Sequence, residues 1–208
     1  MSDVVVPRFR VTTAPAYRPI TTADMKTHLR VTGSDDDTYI ESLIDRAVEH
    51  CQDVQGRAYI TQTITLTLDQ FPTAGYIELP RAPLASVTSV TYTPDGGSPT
   101  VFASSKYRVD TETAPGRLVL KDDDEWPSDT LIEVNGLVIV YVAGYGTNGA
   151  AHGRPASMPH STIHALCLLV GHWYEHREAT TDQASGTVEP LPIALDRLLA
   201  QHRVQVFV

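Results

Sequence analysis

The chain has 208 residues, enough for one large or two small domains with a real core, and its 42% hydrophobic and 20% charged content fits an ordinary globular protein. Lys and Arg number 16 against 25 Asp and Glu, a formal net charge of -9, which argues against a free duplex-DNA binder because such proteins draw most of their affinity from phosphate contacts. No apolar run approaches the ~18 residues that span a bilayer, and the opening MSDVVVPRFR lacks the apolar core of a signal peptide.

Residues 1–19 carry Pro7, Pro15 and Pro19 with no helical period, so they read as an extended arm. Such an arm cannot bury itself, and docking along a neighbour would satisfy its free backbone groups. Thr21-Thr22-Ala23-Asp24 has the spacing of a capping box and opens a short helix to about Arg30. The following GSDDD offers several N-caps for a longer helix, in which Ile40, Leu43, Ile44, Ala47, Val48, Cys51 and Val54 recur at helical spacing and Gly56 is the stop. The ligand spacing of a calcium loop is missing there, so the aspartates read as caps favoured by the helix dipole.

At Ala58 the period changes to two. Ile60, Ile64, Leu66 and Leu68 share one parity, while Thr61, Thr63, Thr65, Thr67 and Asp69 share the other, as in a half-buried strand with a threonine-rich open face. Strands follow at YIELP, SVTSVTYT, TVFA, KYRVD, GRLVL and LVIVYVA, separated by turn signals such as PDGGSP and TAPG. KDDDEWPSD reads as a solvated acidic loop with Trp126 folded back on the sheet. Helical period returns from Met158 through STIHALCLLVGHWYEHRE, then a polar loop ATTDQASGTVEP, a last helix LPIALDRLLAQHR with Pro192 near its start, and the tail VQVFV. The predicted fold is therefore α+β: a small helical bundle formed by both ends of the chain, with an inserted antiparallel β sandwich or barrel-like domain. Its parts are the arm at 1–19, a discontinuous bundle of 20–57 and 158–202, a β domain at 58–145, a hinge loop at 146–157 and a docking tail at 203–208.

Two motifs invite a catalytic reading. His172-Trp173-Tyr174-Glu175-His176 is a literal H-x-x-E-H, the inverted zinc-peptidase signature. A third ligand is needed, and the downstream glutamates are Glu178, too near on the same helix, and Glu189, in the polar loop. His160 and His164 form a second pair, but His164 and His172 lie about 12 Å apart along the helix at ~1.5 Å per residue, so the pairs cannot share one ion. Gly144 to Gly149, GYGTNG, is a literal G-x-G-x-x-G after a strand. A dinucleotide site needs a helix opening at the third glycine, and Pro155 and Pro159 argue against one continuing from it, so the glycines read as a hinge. No G-x-S-x-G occurs, and Ser104-Ser105 have no obvious paired base. Cys51 and Cys167 fall in apolar helical patterns, which points to a reducing compartment with neither a disulfide framework nor a paired-cysteine metal site. No catalytic residue, cofactor or metal is expected.

The segment ITTADMKTHLRVTGSDDDTYIESLIDRAVEHCQDVQGRAYITQTITLTLDQFP resembles the opening of bacteriophage head-tail connector (adaptor) proteins of long-tailed phages and related particles. IELPRAPLASVTSVTY, the strand ending VAGYG, LLVGHWYEHREA and LPIALDRLLAQHRV are similar in the same order, from about Ile20 to Val204. The resemblance implies a structural virion protein, made in the bacterial host cytoplasm and resident in the particle neck. It implies a homo-oligomeric ring, commonly twelve-fold, that sits on the portal protein, extends the DNA channel and presents a surface to the next neck or tail component. DNA would pass without specific binding, and no membrane is involved. The acidic balance fits a conduit that must not hold its cargo, and equally an ordinary soluble protein. The alternatives are another neck or tail-completion protein, or a small zinc peptidase using His172, Glu175 and His176. Val204, Val206 and Val208 alternate with Gln205 and Phe207, a strand too short to be stable alone. Such a tail would add to a sheet edge, either its own β domain's or a partner's. The resemblance favours the portal or an adjacent subunit, which makes Arg203, Val204, Val206, Phe207 and Val208 the candidate contacts to the portal or a neighbouring copy.

Overall fold

The computed structural model describes residues 8–146, 155–176 and 193–204. They divide into a β unit, 8–15, 61–145 and 204, and a helical unit, 16–60, 146, 155–176 and 193–203, and the chain passes between them at Pro15–Ala16, Ile60–Thr61, Tyr145–Gly146 and Arg203–Val204. The fold is mixed α+β, with helices from both ends of the chain and antiparallel sheets between them.

In the helical unit, the Thr21 hydroxyl accepts from the Asp24 amide at 3.0 Å and donates to the Asp24 carboxylate at 2.8 Å, which opens α1 (Thr22–Leu29). Arg30 ends it in a left-handed conformation whose N–H returns to Lys26 and Thr27 carbonyls. The second helix, α2 (Asp37–Gln55), is capped by Asp36 and closed by Gly56 at φ 65, the left-handed position that favours glycine. The Asp36 side chain makes no capping bond, and Asp37 pairs with Lys26 of α1 at 2.6 Å, so these aspartates tie elements together. Residues 16–19, read from sequence as the end of the arm, lie in this unit, where the Arg18 guanidinium meets both Asp45 oxygens at 2.6 and 2.9 Å. The apolar helix α3 (His160–Glu175) packs against α1, α2 and α4 (Ile193–Ala200).

The two ends of the chain are joined by one buried polar group. Gln55 is 0% exposed; its amide donates to the Leu199 carbonyl at 3.0 Å and its oxygen accepts from the Tyr59 hydroxyl at 2.7 Å. Arg57 donates to the His202 carbonyl at 2.5 Å. Carbonyls at a helix C-terminus have no partner within the helix, and here two side chains from the end of α2 supply donors to the end of α4. Ala58, Tyr59 and Ile60 look like the start of a strand by sequence parity. In the structure they are buried in the helical unit, with the Tyr59 amide held by Gln52 at 3.0 Å.

The β unit contains two antiparallel sheets. The larger has the order β1 (Arg8–Thr13), β2 (Gln62–Leu68), β8 (Leu137–Ala143), β4 (Leu84–Tyr92), β5 (Thr100–Val101). The smaller has the order β3 (Tyr76–Leu79), β7 (Gly116–Leu120), β6 (Tyr107–Asp110), with a short 3-10 turn, Ser104–Lys106, before β6. Seven of these strands are the ones legible by alternation. The eighth is a correction: Arg8–Thr13, expected as an arm seeking a neighbour, pairs with β2 of its own chain, Arg8 opposite Thr67 and Arg10 opposite Thr65. The open edge of β2 supplies the hydrogen-bonding groups that the arm needs.

Alternation places Leu137, Ile139, Tyr141 and Ala143 of the central strand on one face, all fully buried. The smaller sheet lies on that side: a Cβ on Gly116 would come within 2.4 Å of the Leu84 Cβ, and the Tyr141 hydroxyl donates to the Pro80 carbonyl at 2.7 Å. Burial raises the Tyr141 phenol well above its ordinary value. Trp126 closes one end, stacked on Phe71 at 5.6 Å, tilted against Phe102 at 5.5 Å, and donating its indole N–H to the Ala74 carbonyl at 2.9 Å.

Two consequences can be measured. Gln55→Ala should destabilise the protein by about 1–3 kcal/mol for each partner left without a hydrogen bond, read as a lowered urea midpoint. At the turn from β6 to β7, the Arg117 guanidinium at 2.7 Å, helped by the Thr113 hydroxyl, lowers the Asp110 carboxyl from 3.8 to about 2. A carboxylate depressed in the folded state stabilises above its unfolded value, and that contribution disappears as pH falls through the folded one. Stability should therefore drop between pH of about 4 and 2, and Asp110→Asn should flatten that part of an acid-denaturation curve.

Candidate functional site

The motif that most suggests chemistry occupies the last turn of α3. Its helix is apolar on most sides, and Thr162, Ile163, Ala165, Leu166, Leu169 and Val170 are buried. The turn that follows faces partners inside the helical unit. The Tyr174 hydroxyl donates to the Asp36 carboxylate at 2.5 Å, and its ring lies 6.1 Å from that of Tyr39. Trp173 meets the His50 ring edge-on at 6.3 Å and is half-buried. It sits at the end of the helix, where α2 offers an exposed histidine instead of an apolar wall.

His172 and His176 stack with ring centroids 4.7 Å apart and planes 28° from parallel. The Nδ1 of His176 lies 3.0 Å from the His172 carbonyl, an interaction that uses one of its two ring nitrogens. Glu175 is exposed, and so are His164 and His160, about three and four turns back. A zinc ligand pair needs nitrogens converging on one point about 2 Å away, and stacked faces do not present them. Among the described residues no three His, Cys, Asp or Glu side chains gather as a metal site. Glu178 and Glu189 lie outside the described residues. Cys51 is a buried thiol pushed up to about 12 by desolvation, and Cys167 is half-buried.

Gly144 and Gly146 have φ of 132 and 130, which fits glycine's role at the end of β8. The rest of the G-x-G-x-x-G lies outside the described residues, as does most of the loop read as a hinge. Of the candidate contact residues at the C-terminus, Arg203 is exposed, with its amide donating to the Ala200 carbonyl at 3.3 Å, and Val204 is 9% exposed. Val206, Phe207 and Val208 lie outside the described residues. Sequence reasoning missed Gln55, Arg57 and the Asp36–Tyr174 bond. The first had a signal, since the four-residue ladder Ala47, Cys51 lands next on Gln55 rather than on Val54.

These observations define a structural class, an α+β protein whose helical unit is built from both ends of the chain around an inserted set of strands. A family model described as head completion protein matches residues 19–189, and the chain belongs to that family. No curated protein matches the sequence. Among solved structures, a chain of the neck of an empty gene transfer agent (GTA) particle computed with C6 symmetry is 24% identical with a TM-score of 0.75, covering 97% of each chain. A chain of the virion of a native GTA particle is 22% identical with a TM-score of 0.74, covering 96% of this chain and 97% of that one. A chain of the neck of a native GTA particle computed with C12 symmetry is 22% identical with a TM-score of 0.73 and 97% coverage of both. At these identities the likeness is one of fold, over nearly the whole of both chains.

Tyr174→Phe should cost about 1.5–3 kcal/mol, the range for a hydrogen bond to a charged group, while Glu175→Gln should leave the urea midpoint unchanged. Trp173→Ala should fall below the ~3–5 kcal/mol of a fully buried indole.

Proposed function

We propose that this chain is a structural connector of a particle neck, joining the head to the tail by protein–protein contact. The supporting observation is the head completion family model over residues 19–189, and the near-complete fold likeness to chains from GTA necks agrees with it. In this reading the protein forms a homo-oligomeric ring on the portal protein, extends the DNA channel and presents a surface to the next neck or tail component. A twelve-fold ring is in keeping with the C12 symmetry used for one related neck. DNA passes through without specific contacts, in line with a net charge of -9.

The role requires no catalysis. A zinc peptidase is disfavoured by the stacked His172 and His176 rings and by a Tyr174 anchored on Asp36. Peptidase activity that vanishes in Glu175→Gln would reverse that judgement.

The C-terminal segment is the proposed docking element. Val204 is the buried anchor from which the tail departs, Arg203 is exposed for a partner carboxylate, and Val206, Phe207 and Val208 supply apolar side chains for a sheet edge. Truncation after Val204 should leave the urea midpoint unchanged yet reduce loading onto portal-bearing heads at least tenfold, counted by cryo-EM. Normal loading of the truncated protein would remove the tail from the interface, and failure of the intact protein to occupy portals would overturn the connector reading itself.

A further inference from the structure

The five-stranded sheet has a second face, and the sequence makes it unlike the rest of the surface. Opposite the buried row of β8 stand Val138, Val140 and Val142, each half-buried, and register sets Thr67, Thr65 and Thr63 beside them on β2. On the other flank β4 places Ser89 beside Val140 and Ser86 beside Val142. The face is thus an apolar stripe between two rows of hydroxyls on the central strands of a sheet, where a solvated face normally carries charge. Its carboxylate, Asp69, is already engaged, by Arg8 at 2.6 Å and by the Asn135 amide at 2.8 Å. Arg10, opposite Thr65 on the edge strand, is exposed and makes no ion pair among the described residues. The Thr67 hydroxyl already donates to the Arg8 carbonyl, and Thr65 is buried with its hydroxyl on that of Thr12. In a chain of net charge -9 this face therefore offers a cation, the Ser86 and Ser89 hydroxyls of β4, and valines.

The opposite layer of the same unit carries the complement. The segment after β7 reads Asp122-Asp123-Asp124-Glu125, of which Asp122, Asp123 and Glu125 are exposed. Trp126 fixes its position by stacking on Phe71, which meets Tyr92. Tyr92 pairs in register with Leu137, on the buried side of the sheet. The acidic loop and the valine face therefore lie on opposite sides of the larger sheet. Two different, complementary surfaces on opposite sides of one unit form a head-to-tail contact, the kind that closes into a ring when the rotation allows.

We propose that the Val138–Val140–Val142 face receives the acidic loop of a second copy, with Arg10 meeting Asp122 and Asp123 and the half-buried Trp126–Pro127 flank covering the valines. The inference rests on the ring reading above and names the surfaces that make the ring. Arg10 and the serine hydroxyls of β4 donate hydrogen bonds, which suits carboxylates, and the apolar stripe gives the desolvated centre that a specific interface needs.

A charge exchange tests it on the full-length protein, with rings on purified portal assemblies counted by native mass spectrometry and cryo-EM. Arg10→Glu alone should lower ring occupancy at least tenfold, and so should Asp122→Arg with Asp123→Arg. An equimolar mixture of the two should restore rings in which the variants alternate, because each contact in that order pairs opposite charges. Val140→Asp should also abolish rings, while the monomer, slightly destabilised by a carboxylate in a central strand, stays folded by circular dichroism. Wild-type rings from either charge variant or from Val140→Asp, or a mixture that fails to recover, would overturn the assignment of surfaces while leaving the connector reading intact. If the wild-type protein forms no ring on portals, both fall. Duplex-DNA affinity that Arg10→Glu abolishes while rings persist would assign the face to DNA instead and overturn the proposal.

Discussion

The helical unit depends on a buried amide. Gln55 ends α2, and through it the helix from the first quarter of the chain grips the carbonyl of Leu199 in the last helix, 144 residues away. A polar side chain with no exposure is costly unless all its groups are paired. Here the amide donor goes to Leu199 and the oxygen takes the Tyr59 hydroxyl, so desolvation is offset and one geometry is favoured over any shifted packing of α4.

The β unit solves a different problem. Its larger sheet has one face buried to 0% exposure along the whole central strand and one face partly open. Edge strands expose unpaired backbone and invite unwanted pairing; β1, exposed along all six residues, covers the edge of β2 and carries Arg8 and Arg10 outward. The Arg8–Asp69 and Arg117–Asp110 pairs sit at strand ends, where an exposed ion pair adds little to stability but fixes the geometry of a turn.

Among the described residues, the groups with reactive chemistry have structural explanations. The stacked histidines, the raised Cys51 thiol and the anchored Tyr174 are each explained by packing or by a hydrogen bond inside the helical unit. The buried polar joint and the paired edge each hold their elements in fixed register.

The amino-acid sequence determined whatever depends on neighbours along the chain. Thr21 and Asp24 announce the cap of α1, Gly56 the end of α2, and the alternation of Ile64, Leu66 and Leu68 with threonines the buried side of β2. Each of these is a contact within a few residues or a period of two or four, so the pattern itself carries the physics. Tertiary structure alone decided the rest. That Tyr174 binds Asp36 across 138 positions, that Gln55 binds Leu199, and that Arg8–Thr13 chooses the edge of β2 over a neighbour's has no local signature. A donor in the sequence states only that it needs an acceptor. Which acceptor it finds is set by the fold that brings distant backbone within about 3 Å, and that distance is a property of the packed chain.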